Sequence, residues 1–453
     1  MSETAAPRAR NNFALGVFNG SFWLLARALT DPDTILPAFA VALMGDNPLY
    51  VGLLVSVVNA GWFWPPLLTT SVMSTRQSRH TYYKISAIVR MVAMVAVWLI
   101  TRYLAADWPT IAFAAVALSY LAYTSGGGLG LIPFMSVVTD SVPAERRGTF
   151  FAMRYFFGGL MAFGAGFWVK WLLSEHSGLG FPENYARLFG AATIVAAIAL
   201  FSWWFAYEPR HKVETRSLPL SVQLVRGWRR ARREPNFRRF MASRVMLAVA
   251  MGLFTPFIIP YAFSGLGMTE AIVGLALAAK VLSNSLSNLL WSRLSAVRGN
   301  RYLLLVAGSV EVAAFVLMLS VPLLPRVALG SLLGLQFDLP LAVLLVVMAA
   351  AGAAESGQFT AHMAYLLDLA PERTRSVYMA TYYLVVLPMC FMPLATAAII
   401  GTQGRYVVAF ALGAIAMALT MFLYRRLDDL RNGPEPATSA SAVTASELEP
   451  PAK

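Results

Sequence analysis

The sequence falls into twelve long apolar runs separated by short polar connections, and this alternation restricts the chain to a bundle of membrane-crossing helices. A helical crossing of the bilayer core needs about 20 apolar residues. The runs at 13–43, 48–72, 82–105, 109–138, 148–173, 185–207, 239–263, 270–293, 302–324, 339–367, 376–400 and 405–425 all meet that length. Hydrocarbon supplies no hydrogen bonds, so the backbone must satisfy itself within each run, and helices do so. The composition agrees: 58% of residues are hydrophobic and 13% charged, where a soluble domain carries about a quarter charged. The runs 13–43 and 109–138 are longer than a crossing requires, which predicts tilted, broken or protruding ends. Pro32, Pro37, Pro256, Pro260, Pro388, Pro393 and the glycines at 126–128 predict kinks, tolerated where neighbouring helices take up the freed backbone groups.

The formal net charge of +13 would suit a nucleic-acid partner, but most Lys and Arg lie in the connections between apolar runs, which argues against one. Arg76, Arg79 and Lys84, then Arg146 and Arg147, then Arg293, Arg298 and Arg301, then Arg373 and Arg375 fall on alternate connections, whereas the opposite connections hold few, such as Arg326 and Arg405. Basic loops stay cytoplasmic, so both termini are expected inside a plasma or inner membrane. The expected organisation is a cytoplasmic tail at 1–12, a six-helix bundle at 13–207, a basic cytoplasmic linker at 208–238, a second six-helix bundle at 239–425, and a disordered tail at 426–453. The linker contains RGWRRARREPNFRRF, too polar to insert and expected to form an interfacial helix. It either sets topology or touches anionic lipid. A cleavable signal peptide is not expected, and the single cysteine, Cys390, excludes an intrachain disulfide.

The two halves of the sequence echo each other. DSVPAERRG, from Asp140 to Gly148, closes the fourth run, and DLAPERTRS, from Asp368 to Ser376, closes the tenth, with Asp, Pro and Arg in register. YVGLLVSVVNA opens the second run and IVGLALAAKVL the eighth, an alignment that sets Arg90 opposite Glu311. Internal repeats of this kind mark pseudo-symmetric transporters, whose substrate sites lie at mid-membrane between the repeats. Two sets of six runs, a basic central loop and D-x-x-P-x-x-x-R-G after the fourth together resemble the major facilitator superfamily over all but the two tails. The resemblance implies an all-α membrane fold of twelve helices in two pseudo-symmetric bundles. It also implies a cavity lined by the first, fourth, seventh and tenth helices, and a cytoplasmic gate involving Asp140, Arg147, Asp368 and Arg375. The chain departs from the family pattern between runs two and three, where SVMSTRQSRHTYY lacks the usual Asp and both Gly. The matching loop SRLSAVRGNRY also lacks the Asp, and the fifth run has no Gly-Pro. These departures leave the gate differently built and the direction of transport open.

Ionisable residues within apolar runs are costly and are functional candidates by default. Asp31 lies near the centre of the first run, with Arg27 one turn earlier. Asp before Pro is also a helix-start signal, but a helix beginning at Pro32 would be too short to cross before the turn at 45–48. Asp31 is therefore at membrane depth, paired with Arg27 or involved in coupling or substrate binding, while Asp33 faces elsewhere on a continuous helix. Lys280, Asn284 and Asn288 form one stripe of the eighth run, suited to substrate binding, although such asparagines also join helices. Glu355, Gln358 and His362 share a face of the tenth run, and a buried carboxyl there suits proton coupling. Glu311 is expected to be structurally paired, with Lys280 or an arginine. Arg90, Arg154 and Arg244 are expected to snorkel toward the cytoplasm, Arg244 being the best placed to bind an anion.

A secondary transporter of a small polar or charged solute follows, coupled to protons through Asp31 and Glu355, with Arg27, Lys280, Asn284, Asn288, Gln358 and Arg244 at the substrate. It needs no cofactor or resident metal and is expected to work as a monomer in the bilayer. The sequence holds no G-x-x-x-x-G-K-[ST] loop for ATP. A drug exporter or lipid flippase on the same scaffold is the alternative. An intramembrane enzyme is disfavoured, since neither H-E-x-x-H nor G-x-S-x-G occurs.

Overall fold

The computed structural model describes residues 5–73, 78, 80–208, 220–332, 335–371 and 374–431. Arg76, Arg79 and Arg373 of the basic loops lie outside them, as does most of the expected C-terminal tail. The first crossing is made in two pieces, α1 (Ala5–Ala28) and α2 (Ile35–Met44), followed by α3 (Pro48–Met73), α4 (His80–Tyr103), α5 (Pro109–Ser141), α6 (Ala144–Leu172) and α7 (Glu183–Trp204). The surface helix α8 (Leu220–Arg233) precedes a second split crossing, α9 (Pro235–Gly252) and α10 (Ile258–Ser264). The chain continues through α11 (Ile272–Arg298), α12 (Asn300–Ser320), the strands β1 (Ala328–Leu332) and β2 (Leu335–Asp338), and α13 (Leu339–Leu369). It ends in a third split crossing, α14 (Arg375–Val386) and α15 (Met392–Ile400), and in α16 (Tyr406–Arg425). These elements carry the expected twelve crossings. The antiparallel hairpin β1–β2 at the mouth between α12 and α13 was not anticipated.

Each split falls at a proline that lacks an N–H or bars its predecessor from helical geometry: Pro32, Pro256 and Pro388. At the first split, the Asp31 Oδ1 accepts hydrogen bonds from the Asp33 backbone N–H and the Thr34 hydroxyl, both at 3.0 Å. Asp31 thus closes a turn that leads into α2, at the depth of the membrane rather than at its edge.

Packing is asymmetric across the membrane. On the side away from α8, one hydrophobic core joins the two halves, including Phe39, Val51, Tyr120 and Phe189 from the first with Phe257, Ile272, Phe315 and Phe410 from the second. On the α8 side there are two separate cores. One holds Tyr83, Phe150 and Trp203, and the other Phe237, Phe240, Tyr365 and Tyr424. The halves therefore meet at one face and part toward the other, leaving a cleft that opens on the α8 side.

The α6–α11 seam depends on small residues. A side chain at Gly274 would collide with the backbone of Gly166 and Lys170. Without water to drive helices together, such close approach supplies the packing energy. Gly274→Leu should lower the thermal midpoint in detergent by several degrees, and an unchanged midpoint would show that the seam is loose. Helix α8 lies on α14, with Gly227 against Thr381 and the Arg230 guanidinium donating to Thr374 Oγ1 at 2.9 Å. The expected interfacial helix is thus also a strap on the second half.

Candidate functional site

Where the first crossing breaks, two carboxylates are freed from the helical lattice and meet a lysine from the opposite half. The Lys280 Nζ on α11 donates to Asp31 Oδ2 at 2.9 Å and to Asp33 Oδ2 at 2.5 Å, and lies 3.5 Å from Glu355 Oε2 on α13. Arg27, at the end of α1, donates to the other Glu355 oxygen at 2.8 Å. The Lys280 and Asp31 side chains are only 5% and 6% exposed, whereas Arg27 and Glu355 keep 47% and 32%. One end of the cluster is therefore sealed between the halves and the other reaches the cleft. Gly352 permits this arrangement, since a Cβ there would strike the Lys280 backbone.

Two cations thus face three carboxylates; the Lys280–Asp31, Lys280–Asp33 and Arg27–Glu355 pairs join one half to the other, and Lys280–Glu355 lies within the second half. In the low dielectric between packed helices the pairs of Lys280 with Asp31 and Asp33 are strong, but removing one partner leaves a costly orphan charge. Separating the halves at this level breaks the same pairs.

Two sequence expectations are corrected here. Arg27 pairs with Glu355 rather than Asp31, and Asp33, assigned to another face, is the shorter contact of Lys280. Helical facing assumed a continuous first helix, whereas residues 29–34 are a turn that aims both carboxylates the same way. The remaining substrate candidates divide. Gln358 lines a pocket in the cleft with Arg244. The Asn288 side chain donates to the Asn284 backbone oxygen at 2.9 Å, so that bond stays within α11. His362 is buried, its Nδ1 2.6 Å from the Gln358 backbone oxygen, and the Tyr424 hydroxyl bridges its Nε2 and the Gln358 Oε1 at 3.0 and 2.9 Å.

Arg147 and Asp368 of the family motif bond within their own halves. Arg147 donates to the carbonyls of Val142 and Thr139 at 3.1 and 2.7 Å, closing the end of α5, and the Ser136 hydroxyl lies 3.5 Å from Asp140. Asp368 accepts from the Asn300 amide at 2.6 Å. Among the described residues no ion pair links Asp140 or Arg147 to Asp368 or Arg375, as expected where the halves stand apart.

The buried arginines also depart from expectation. Arg90 and Arg154 do not snorkel: Arg90 reaches the Tyr123 hydroxyl at 3.1 Å, and Arg154 the Gly16 carbonyl and Asn19 Oδ1 at 2.5 and 3.2 Å. Interior acceptors hold both within the first half. Glu311 is fully buried, and among the described residues neither oxygen has a hydrogen-bond or ion-pair partner, so the expected pairing with Lys280 or an arginine is not formed. A buried polar group without a partner costs about 1–3 kcal/mol. Glu311→Met, similar in volume, should therefore raise the thermal midpoint, and a lower midpoint would mean that the carboxyl is held.

The pocket has a volume of about 170 Å³ and is lined by Arg244, Leu247 and Met251 of α9, Glu355, Gln358, Phe359 and His362 of α13, and Tyr382 of α14. It runs from the exposed edge of the charge cluster toward the cleft mouth. Sequence reasoning placed Arg244 and Gln358 but missed Tyr382, which supports the Arg244 guanidinium at 5.4 Å from its ring centre; aromatic residues near cytoplasmic ends are too common to single out.

The sequence model of the Major Facilitator Superfamily matches residues 240–450. No curated protein matches the sequence. Among solved structures the chain is similar to a D-xylose–proton symporter, with 13% identity over 94% of this chain and 99% of that one and a TM-score of 0.65. It is similar to the nucleoside transporter NupG, with 11% identity over 94% and 100% and a TM-score of 0.62. It also resembles a bacterial homologue of the iron transporter ferroportin in its outward-facing state, with 14% identity over 93% and 99% and a TM-score of 0.61. At such identities the likeness speaks for the fold alone. The second half of the chain thus matches the Major Facilitator Superfamily in sequence, and the twelve crossings share the fold of these transporters.

Proposed function

We propose that the protein is a proton-coupled secondary transporter of a small polar or charged solute, working by alternating access between its two halves. The observation that carries this reading is the cluster of Arg27, Asp31, Asp33, Lys280 and Glu355, in which the pairs of Arg27 with Glu355 and of Lys280 with Asp31 and Asp33 cross between the halves. With three carboxylates facing two cations, the cluster has room for one proton. Protonating Glu355 or Asp31 loosens the ties between the halves and shifts the balance between inward- and outward-open states, because a group whose charge matters in one state only biases the equilibrium. Glu355, partly exposed in the cleft, is open to proton exchange with water, and Asp31 lies against Lys280 in the sealed interior.

On this reading the α8 side is cytoplasmic, as the basic loops suggest, the protein works as a monomer in the plasma or inner membrane, and the cleft faces inward. Arg244, Gln358 and the asparagines of α11 are the substrate contacts, and Asp140, Arg147, Asp368 and Arg375 approach one another when the cytoplasmic side closes. Lys280 also bears on the cargo. Its ammonium already sits among Asp31, Asp33 and Glu355, where a divalent cation would bind, which favours an organic solute.

Purified protein in proteoliposomes with a trapped pH-sensitive dye tests this reading. Adding pooled metabolites and drugs should produce protein-dependent proton movement, and dividing the active pool identifies the solute. Solute uptake without proton movement would remove the coupling.

A further inference from the structure

Arg244 is an unpaired cation at membrane depth. It sits on α9 in the wall of the cleft pocket, and among the described residues no carboxylate lies within ion-pair distance and no hydrogen bond reaches its guanidinium. Its one close support is the Tyr382 ring, 5.4 Å from the guanidinium carbon, and its buried Nε has no acceptor. The other cations that reach the cleft or the membrane interior are committed. Lys280 and Arg27 hold the carboxylate cluster, Arg90 reaches the Tyr123 hydroxyl, and Arg154 donates to Gly16 and Asn19. Charged groups inside a membrane protein pair with something, and a guanidinium fork is shaped for a carboxylate or phosphoryl group.

We propose that Arg244 supplies the counter-charge for the transported solute, which is a small organic oxyanion with an apolar body. This rests on the transporter reading and names its substrate class. The rest of the pocket describes that body. Leu247, Met251, Phe359 and the face of Tyr382 line one volume with Arg244 and Gln358. The Gln358 Oε1 is taken by the Tyr424 hydroxyl at 2.9 Å, so its amide N–H groups remain to donate to an oxyanion. His362 lies in the same wall, held between the Gln358 carbonyl and Tyr424. The one carboxylate in the lining, Glu355, is neutralised from behind by Arg27 and Lys280. At about 170 Å³ the pocket suits a small molecule rather than a lipid chain.

Equilibrium binding to the full-length protein in detergent, with no gradient and no transport, separates this proposal from proton coupling. Thermal unfolding would be followed with benzoate, phenylphosphonate, benzamide and benzylamine, four probes that share one ring and differ in charge. Benzoate or phenylphosphonate should raise the midpoint of the wild type while benzamide and benzylamine do not, and the better anion tells a carboxylate from a phosphoryl headgroup. Arg244→Gln should weaken anion binding by roughly 30-fold or more, as expected when a buried charge pair loses one partner, and Arg244→Lys should keep the preference for anions at lower affinity. Equal stabilisation of wild type and Arg244→Gln, an equal shift with benzylamine or benzamide, or no shift with either anion at millimolar concentration overturns the proposal. If Arg244→Gln does not fold, Arg244→Lys and the charge series in the wild type decide the matter alone. Anion binding without proton movement in liposomes would leave this inference standing and remove only the coupling.

Discussion

Lys280→Met should be the most damaging single substitution in the protein. It strands Asp31 and Asp33 between the halves, where their side chains are 6% and 17% exposed and lose their shared cation at 2.9 and 2.5 Å. Breaking a buried pair by removing one partner costs about 3–5 kcal/mol, read here as a lower thermal midpoint in detergent, and transport should fall to background. The control is Lys280→Met combined with Asp31→Asn and Asp33→Asn. Removing the stranded charges should restore most of the midpoint without restoring transport. If the single variant unfolds like the wild type, Lys280 does not carry the charge balance of the site.

The second large effect concerns coupling rather than folding. Glu355→Gln should abolish proton-driven accumulation, because the amide still accepts a hydrogen bond from Arg27 but carries no titratable proton. The fold should survive, since Glu355 is 32% exposed and the remaining cluster balances two cations with two carboxylates. Exchange of labelled for unlabelled solute, which needs no net proton movement, should persist. Asp31→Asn should lose accumulation in the same way, while its Oδ1 still accepts from Asp33 and Thr34 and keeps the turn into α2. A Glu355→Gln variant that accumulates solute against a gradient would place the coupling proton elsewhere.

The twelve crossings were legible because long apolar runs state their own length and the prolines mark the breaks. The hairpin Ala328–Asp338 was not, because it falls in the connection between the runs 302–324 and 339–367, where crossing length says nothing of local structure. For the site, the sequence identified every member of the charge cluster except Asp33, and misjudged the partners. Helical periodicity cannot see through a break: with Pro32 turning the chain, residues two apart point together. Arg90 and Arg154 were misread for a related reason. Depth along a helix is visible in sequence, but whether a long side chain turns toward water or toward a carbonyl such as Gly16 depends on which helix is next to it. Glu311 was expected to pair because burial without a partner is expensive, and the structure leaves that cost standing.

Solute-driven proton movement, compared between wild type and Glu355→Gln in proteoliposomes with a trapped pH-sensitive dye, tests the central claim most directly. The account predicts a pH change that follows solute addition in the wild type and is absent from the variant, with both proteins exchanging the same solute. Equal proton movement in the two, or solute uptake by the wild type with none, would contradict it.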